Sequence, residues 1–514
     1  MPIPQTGKPE HKKSALYRFL DFVEATGNRL PHPFTLFVIL CVIMIVISYI
    51  TASAGVAVTH PTKGEVVAAK NLLSKEGIRW MLLNLISNFT GFRPLGLVLT
   101  MMIGIGLAEK AGLMSAFMKK FMLGAPERLL LMAVFLIGIC GNIASDASII
   151  IVPPLAGALF YGTGRNPLVG VAAGYAAACS GFTANLLIAG TDALLAGITE
   201  EAAKAMQPGI AVSPTVNYYF MFVSTLVLTV VGTWVTKKIV EPQAGEYVPK
   251  REIETDEREF EVTAVETRGL KNAGIVTLIY WGVIILTLIP ANSPFRNDNG
   301  GLIPSPFLKG IVPFILFWFI AIGIAYGKTV GTIKSESDVP KLMTEAMKGM
   351  AGYIVLVFVI AQFVSYFNWT NLGMILAVEL AGVLKALNFT GFPMVIGVIL
   401  VSTFINLFIG SGSAKWALLS PVFVPMFMML GYSPAFAQLA YRIGDSTTNS
   451  ITPLLPYFPI LLGFLKRYDE KAGIGTAISY ILPYAIAFGI AWIILLAIWF
   501  FLNLPLGPGA HIYM

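Results

Sequence analysis

The sequence predicts an all-α membrane protein, and three observations carry that prediction. The 514-residue chain is 56% hydrophobic and only 12% charged, where a soluble protein runs near 25% charged. Its apolar residues gather into runs long enough to cross a bilayer, about 20 residues each. Small and polar residues then interrupt those runs at matching places in the two halves. Hydrocarbon offers no partner to a backbone N–H or C=O, so helices are the expected spanning form.

Taken in order, residues 1–33 are polar and carry Lys8, Lys12, Lys13, Arg18 and Arg29. Basic residues concentrate in cytoplasmic loops, which places this segment inside. The apolar run Pro33–Ile50 is too long and too late to be a cleavable signal. Residues 34–236 form a first membrane half, although four basic residues in Val56–Arg79 blur the charge rule there. Residues 237–271 are the most charged stretch, with Glu252, Glu254, Asp256, Glu257, Glu259 and Glu261. They read as a cytoplasmic linker, with a regulatory module as the alternative. Residues 272–514 form the second half, in which Ile275–Ile289 and Ile478–Phe501 are nearly free of charge. Two basic clusters, Lys328 to Lys348 and Lys466 to Lys471, mark further cytoplasmic loops, whereas Ala291–Lys309 and the tail Leu504–Met514 fit the outside. An inside N-terminus and an outside C-terminus require an odd number of crossings.

The net charge of +7 follows from these basic loops and calls for no acidic partner. No basic stripe with interleaved aromatics points to nucleic acid. The three cysteines, Cys41, Cys140 and Cys179, lie in apolar runs, and an odd number there argues against a disulfide framework. The four histidines, His11, His32, His60 and His511, lie in flanks and loops, so no histidine metal site is expected. Gly323–Thr329 imitates a phosphate loop but is one residue short between its glycines and ends an apolar span rather than following a strand. Neither His-Glu-x-x-His nor Gly-x-Ser-x-Gly occurs.

The interruptions come in pairs. In the first half Gly141–Asp146 is followed by Pro153-Pro154, Pro167 and Gly181–Asn185; in the second, Gly410–Trp416 is followed by Pro421, Pro425, Pro434 and Gly444–Asn449. A break of this kind exposes backbone groups and is tolerated only beside protein or a watery cavity. Paired breaks in two halves are the best sequence pointer to a transporter's central site. The short, Pro-flanked stretches 130–160 and 394–428 read as re-entrant hairpins, with Pro-broken crossings as the alternative.

Several residues at these breaks are candidates for chemistry. Asp192 lies in an apolar run, where a charge costs about 2.5–3.5 kcal/mol on insertion scales; it is functional or it caps a helix. Arg442 and Asp445 are spaced to share a helix face and pair, as a functional or a structural ion pair, and Arg442 could anchor an anionic substrate through its planar fork. Asn142, Ser145, Thr183, Asn185, Ser411, Ser413 and Asn449 supply oxygens that suit a small hard cation, or they satisfy backbone at the breaks. Trp416 stacks on an aromatic substrate or packs the hairpin against its neighbour. Lys415, unusual for a buried hairpin, is expected to snorkel to the interface.

Together, Leu30–Phe34, Asn88–Phe92, Gly181–Leu186, Asn368–Asn371, Pro421–Met426, Arg442–Ser446 and Leu504–Gly509 give the chain a resemblance, over nearly its whole length, to the p-aminobenzoyl-glutamate transporter (AbgT) family of bacterial membrane proteins. The resemblance implies a homodimer in the bacterial inner membrane, each protomer with nine spans and two re-entrant hairpins. It implies a substrate such as p-aminobenzoyl-glutamate, or export of sulfonamide antimetabolites driven by protons. The family's functional positions fall on Asp192, Ser413, Trp416, Arg442, Asp445 and Pro453. Lys415 is outside the family pattern.

The expectation is therefore a secondary transporter of aromatic acids, with no cofactor and with a proton, or alternatively sodium, as coupling ion. Arg442 would hold a carboxylate, Trp416 would lie against the ring, and Asp192 or Asp445 would carry the proton. A sodium-coupled carboxylate transporter, a passive channel and a membrane-embedded enzyme are the rival readings.

Overall fold

The computed structural model describes residues 31–59, 64–144, 147–247, 261–452 and 454–514. Ser145, Pro453, the basic flank up to Arg29 and the acidic run from Glu252 to Glu259 lie outside them. Among the described residues seven helical segments are long and apolar enough to cross a membrane: Pro33–Ser53, Lys75–Lys110, Tyr218–Ala244, Ala264–Leu288, Ile311–Val330, Ala351–Trp369 and Ile474–Phe501. The second is broken at Gly91-Phe92, ahead of Pro94. Helix Ala264–Leu288 begins inside the charged stretch 237–271, with Thr263 and Glu266 closing a capping box at its start.

The outer helices present apolar side chains outward: Leu83 is 81% and Leu278 76% exposed. Apolar exposure on this scale suits acyl chains and not water. One element escaped the all-α expectation. Ala57–Thr59 and Val66–Ala68 pair as a small antiparallel ribbon, Ala57 opposite Ala68, in the loop where the charge rule was blurred.

At the centre lie two helices of like design, Pro167–Ser180 and Pro434–Thr447, every residue of which is buried. Each opens on a proline that needs no N–H partner. Each is capped, by Asn166 accepting from Leu168 N–H at 3.0 Å and by Ser433 accepting from Phe436 N–H at 3.3 Å. Small residues let neighbours approach closely, as helices in lipid require. A Cβ on Gly174 would stand 2.9 Å from Pro153 Cα, and one on Gly444 would stand 2.5 Å from Ile399 O.

The two Pro-flanked segments fold as helix, break, helix. In the first, Leu130–Cys140 gives way to a 3-10 turn at Gly141–Ala144 and then to Ala147–Gly162. In the second, Phe392–Asn406 and Gly412–Met429 flank the break at 407–411. Entry and exit of the second segment meet the same end of helix Ile474–Phe501: the rings of Phe392 and Tyr432 lie 5.4 and 6.2 Å from that of Phe500. The exit of the first lies by the other end, where Tyr161 packs on Tyr468 at 6.3 Å. Helix Pro434–Thr447 runs on through Gly444-Asp445-Ser446, so the last break begins at Thr448 and not at Gly444.

Candidate functional site

Each break is held open by an asparagine. Asn142 donates to the carbonyls of Phe182 and Ala184 and accepts from Asn185 Nδ2. Asn406 repeats the device in the second half, donating to Asp445 O at 2.5 Å, to Thr448 Oγ1 at 2.9 Å and to Asn449 Oδ1 at 2.9 Å. In both halves the asparagine and its partner asparagine are 43 residues apart. These amides satisfy carbonyls that the missing helical turns would leave unpaired, a debt of about 1–3 kcal/mol per buried group. Sequence reading found Asn142, Asn185 and Asn449 but missed Asn406. Its signal was the shared spacing, obscured because Asn406 closes an apolar helix and does not belong to a polar cluster.

The two halves then lock together across the breaks. Ser180 Oγ lies 2.6 Å from Ser450 Oγ, and Thr183 Oγ1 lies 2.7 Å from Ser446 Oγ. Arg442 Nη2 donates to Thr183 O at 2.6 Å and pairs with Asp192 Oδ1, also at 2.6 Å. Asp192 sits in the first turn of helix Gly190–Ala203, and its Oδ2 accepts from Ala189 N–H at 2.7 Å. It is thus helix cap and ion-pair partner at once.

The expected Arg442–Asp445 pair does not form. Asp445 Oδ1 instead lies 2.6 Å from Lys415 Nζ. The two side chains leave the helix toward different neighbours, Arg442 toward the first half and Asp445 toward the second hairpin. Lys415 does not snorkel either. It is fully buried, and its ammonium also bonds Asn406 Oδ1. Tyr441 completes this corner, with its hydroxyl 2.5 Å from Gly412 O and 3.0 Å from Asp445 Oδ1.

Trp416 is fully buried. Its ring stacks on Tyr441 at 4.5 Å, and its Nε1 donates to Thr199 Oγ1 at 2.9 Å. In this conformation the ring packs the hairpin against its neighbour, the second of its two sequence readings. Ser411 caps helix Gly412–Met429 and lies 3.2 Å from Ser413 Oγ.

Beside this cluster opens a cavity of about 640 Å³, within the range that holds drug-sized ligands. Thr183, Ser411, Ser413, Asp445 and Asn449 line it, together with Phe182, Phe408 and the start of the first helix at His32-Pro33. Arg442 donates to the carbonyl of Thr183 in this lining. Among the described residues Nε and Nη1 of that buried guanidinium have no hydrogen-bond partner.

The sequence model of the AbgT putative transporter family matches residues 18–514. The chain belongs to this family. It is 44% identical over 491 residues, 95% of this chain and 96% of the other, to the p-aminobenzoyl-glutamate transport protein of Escherichia coli (strain K12). Two solved AbgT-like structures superpose on it. The YdaH transporter of Alcanivorax borkumensis, noted for an unusual topology, gives a TM-score of 0.88 at 38% identity, covering 93% of this chain and 100% of its own. MtrF of Neisseria gonorrhoeae, described with a class of antimetabolite efflux pumps, gives 0.90 at 42% identity, covering 96% and 100%.

Proposed function

We propose that this chain is a secondary active transporter that moves p-aminobenzoyl-glutamate or a related aromatic acid across the bacterial inner membrane, coupled to protons. The observation that carries the reading is the buried guanidinium of Arg442, with Nε and Nη1 unpartnered among the described residues, bonded to Thr183 of the cavity wall. A planar fork of this kind matches a carboxylate. Substrate binding moves the wall that Thr183 forms, so that the carboxylate reaches Arg442 and loosens its hold on Asp192. A carboxylate that loses its cation in a buried site takes up a proton more readily, which would couple the two events. The similarity to the Escherichia coli transport protein supports the substrate class.

The architecture proposed with this function is nine crossings and two re-entrant hairpins in a two-fold internal pseudo-repeat, the N-terminus cytoplasmic, and two protomers to the assembly. The shared 43-residue asparagine spacing and the approach of both ends of the second hairpin to Phe500 support it.

The test is movement of labelled p-aminobenzoyl-glutamate in proteoliposomes under an imposed proton or sodium gradient. Accumulation against a concentration gradient driven by protons is the expected result. Passive equilibration alone would make the protein a channel, and appearance of p-aminobenzoate and glutamate would make it an enzyme. A second reading, efflux of sulfonamide antimetabolites, is favoured by the similarity to MtrF; drug extrusion in the same vesicles decides it.

A further inference from the structure

We propose that Thr199, Gln438 and Asn217 are positioning residues for Trp416: they form a buried string of hydrogen bonds, of one fixed direction, that holds the indole N–H and with it the opening of helix Gly412–Met429. The inference rests on the reading of the protein as a transporter of p-aminobenzoyl-glutamate or a related acid. It deepens that reading by naming residues behind the cavity wall that set substrate affinity.

Trp416 Nε1 donates to Thr199 Oγ1 at 2.9 Å, and Thr199 Oγ1 donates to Gln438 Oε1 at 2.7 Å. Gln438 Nε2 donates to Asn217 Oδ1 at 2.9 Å, and Asn217 Nδ2 donates to Ala435 O at 2.9 Å. All four side chains are wholly shielded from solvent. They stand on helix Gly412–Met429, on helix Gly190–Ala203, on helix Pro434–Thr447 and at the head of helix Tyr218–Val235. The string therefore ties the second hairpin to both halves.

Its direction is fixed from the far end. A backbone carbonyl only accepts, so Asn217 must turn Nδ2 to Ala435 and Oδ1 to Gln438. Gln438 must then give Nε2 to Asn217 and turn Oε1 to Thr199, whose hydroxyl has one proton to donate. Leu195 O also lies 2.7 Å from that hydroxyl. It is the helical partner of the Thr199 N–H and is already satisfied, whereas Gln438 Oε1 would be left buried and unpaired. The oxygen of Thr199 remains to accept from the indole, which can only donate.

Two features mark the string as more than filling. Asn217 occupies the N-cap position of helix Tyr218–Val235, where asparagine ordinarily accepts from its own helix, yet its side chain makes no cap bond. Thr199 stands seven residues after Asp192, and Gln438 four before Arg442, and each spacing keeps to one helix face. The string is thus a second tie between the two helices that the Asp192–Arg442 pair joins. At its near end, Trp416 stands one helical turn after Ser413, which lines the cavity. Loosening the string lets that wall shift.

The test uses full-length protein in detergent, its tryptophans labelled with heavy nitrogen at the indole N–H. The eight tryptophans each give one indole signal by magnetic resonance, and the signal missing from Trp416→Phe belongs to Trp416. Asn217→Leu, two side chains removed from Thr199, frees Gln438 to turn Nε2 on the hydroxyl, and the Trp416 signal should shift. Gln438→Met should shift it too. Thr199→Val should shift it furthest and speed its exchange with deuterated water, and Thr199→Ser, which keeps the hydroxyl, should return it toward the wild-type position. Binding of p-aminobenzoyl-glutamate to the same preparations should weaken about tenfold in Thr199→Val, less in Asn217→Leu, and should recover in Thr199→Ser. A Trp416 signal unmoved in both Asn217→Leu and Gln438→Met overturns the proposal. So does an unchanged Kd in variants whose signal moves, since these residues would then serve packing alone. Should Thr199→Val fail to fold, Asn217→Leu and Gln438→Met carry both measurements. The indole signal needs no substrate, so a wild type that neither binds nor moves p-aminobenzoyl-glutamate refutes the transport reading, while the spectra still decide whether the string holds Trp416.

Discussion

The guanidinium of Arg442 lies 2.6 Å from the carboxylate of Asp192, in the other half of the chain, while Asp445, one helical turn on, faces Lys415. Two buried cations thus meet two buried carboxylates, each pair joining a different set of elements. Deleting one member of a buried pair strands the other at a cost of about 3–5 kcal/mol. That cost separates folding from transport in the variants below.

Asp192→Asn keeps one acceptor, for Ala189 N–H or for Arg442 but not both, leaves Arg442 without its charge partner at a cost of about 3–5 kcal/mol, and cannot exchange a proton near neutral pH. Gradient-driven transport is expected to vanish while p-aminobenzoyl-glutamate still binds. Transport at the wild-type rate under an imposed pH gradient would reduce Asp192 to a helix cap.

Asp445→Asn should lower stability by about 3–5 kcal/mol, because it strands the Lys415 ammonium. The double variant Asp445→Leu with Lys415→Met removes both charges and should recover most of that loss, since apolar replacement of a buried pair is often neutral. Transport should remain absent in both. Melting curves beside transport assays check this, and a double variant that transports would remove Asp445 from the mechanism.

Arg442→Lys preserves the charge but loses the fork. Substrate affinity should fall at least tenfold, about 1.4 kcal/mol, because an ammonium cannot hold Asp192, Thr183 O and a carboxylate with the same geometry. Equilibrium binding of p-aminobenzoyl-glutamate to the purified protein measures it. An unchanged Kd would place the substrate elsewhere in the cavity.

Trp416→Ala empties a fully buried site and should cost about 3–5 kcal/mol. Trp416→Phe gives up the bond to Thr199, about 1 kcal/mol, and part of the buried ring volume, and so should cost less than Trp416→Ala. With one face of the ring already covered by Tyr441, aromatic and simple dicarboxylate substrates should weaken together. A loss confined to aromatic substrates, in a competition series on Trp416→Phe, would show that the ring leaves Tyr441 during transport.

Single cysteines placed at Phe392 and Gly431, in a background lacking Cys41, Cys140 and Cys179, should react with an impermeant reagent from the same side of sealed vesicles. Both positions lie by the Phe500 end of the last helix. Labelling from opposite sides would turn the second hairpin into a crossing.

Much of the frame was legible because hydrocarbon acts locally. An apolar run of sufficient length, a proline at the first turn of Pro167–Ser180 and a Gly/Ser cluster that cannot continue a helix each declare themselves over a few residues. The breaks at Gly141 and Gly410, and the polar side chains gathered there, were therefore placed from the sequence. The ribbon at Ala57–Ala68 was not, since strands of three residues carry almost no periodicity. Asn406 was hidden for a related reason: one asparagine at the foot of an apolar helix looks like a helix end until its partners arrive from Pro434–Thr447.

What the sequence by itself determined is the solvent, the helical class and the helix breaks at Gly141 and Gly410, because these follow from composition and from the duty of each backbone group to be paired. Which charge answers which was decided only by the tertiary structure. Arg442 and Asp445 are neighbours by spacing, but spacing sets a shared face and leaves the partners across it unspecified. Those partners, Asp192 and Lys415, come from the far half and from the second hairpin. The burial of Lys415 and the stacking of Trp416 on Tyr441 were settled in the same way, by the close packing of segments remote in the chain.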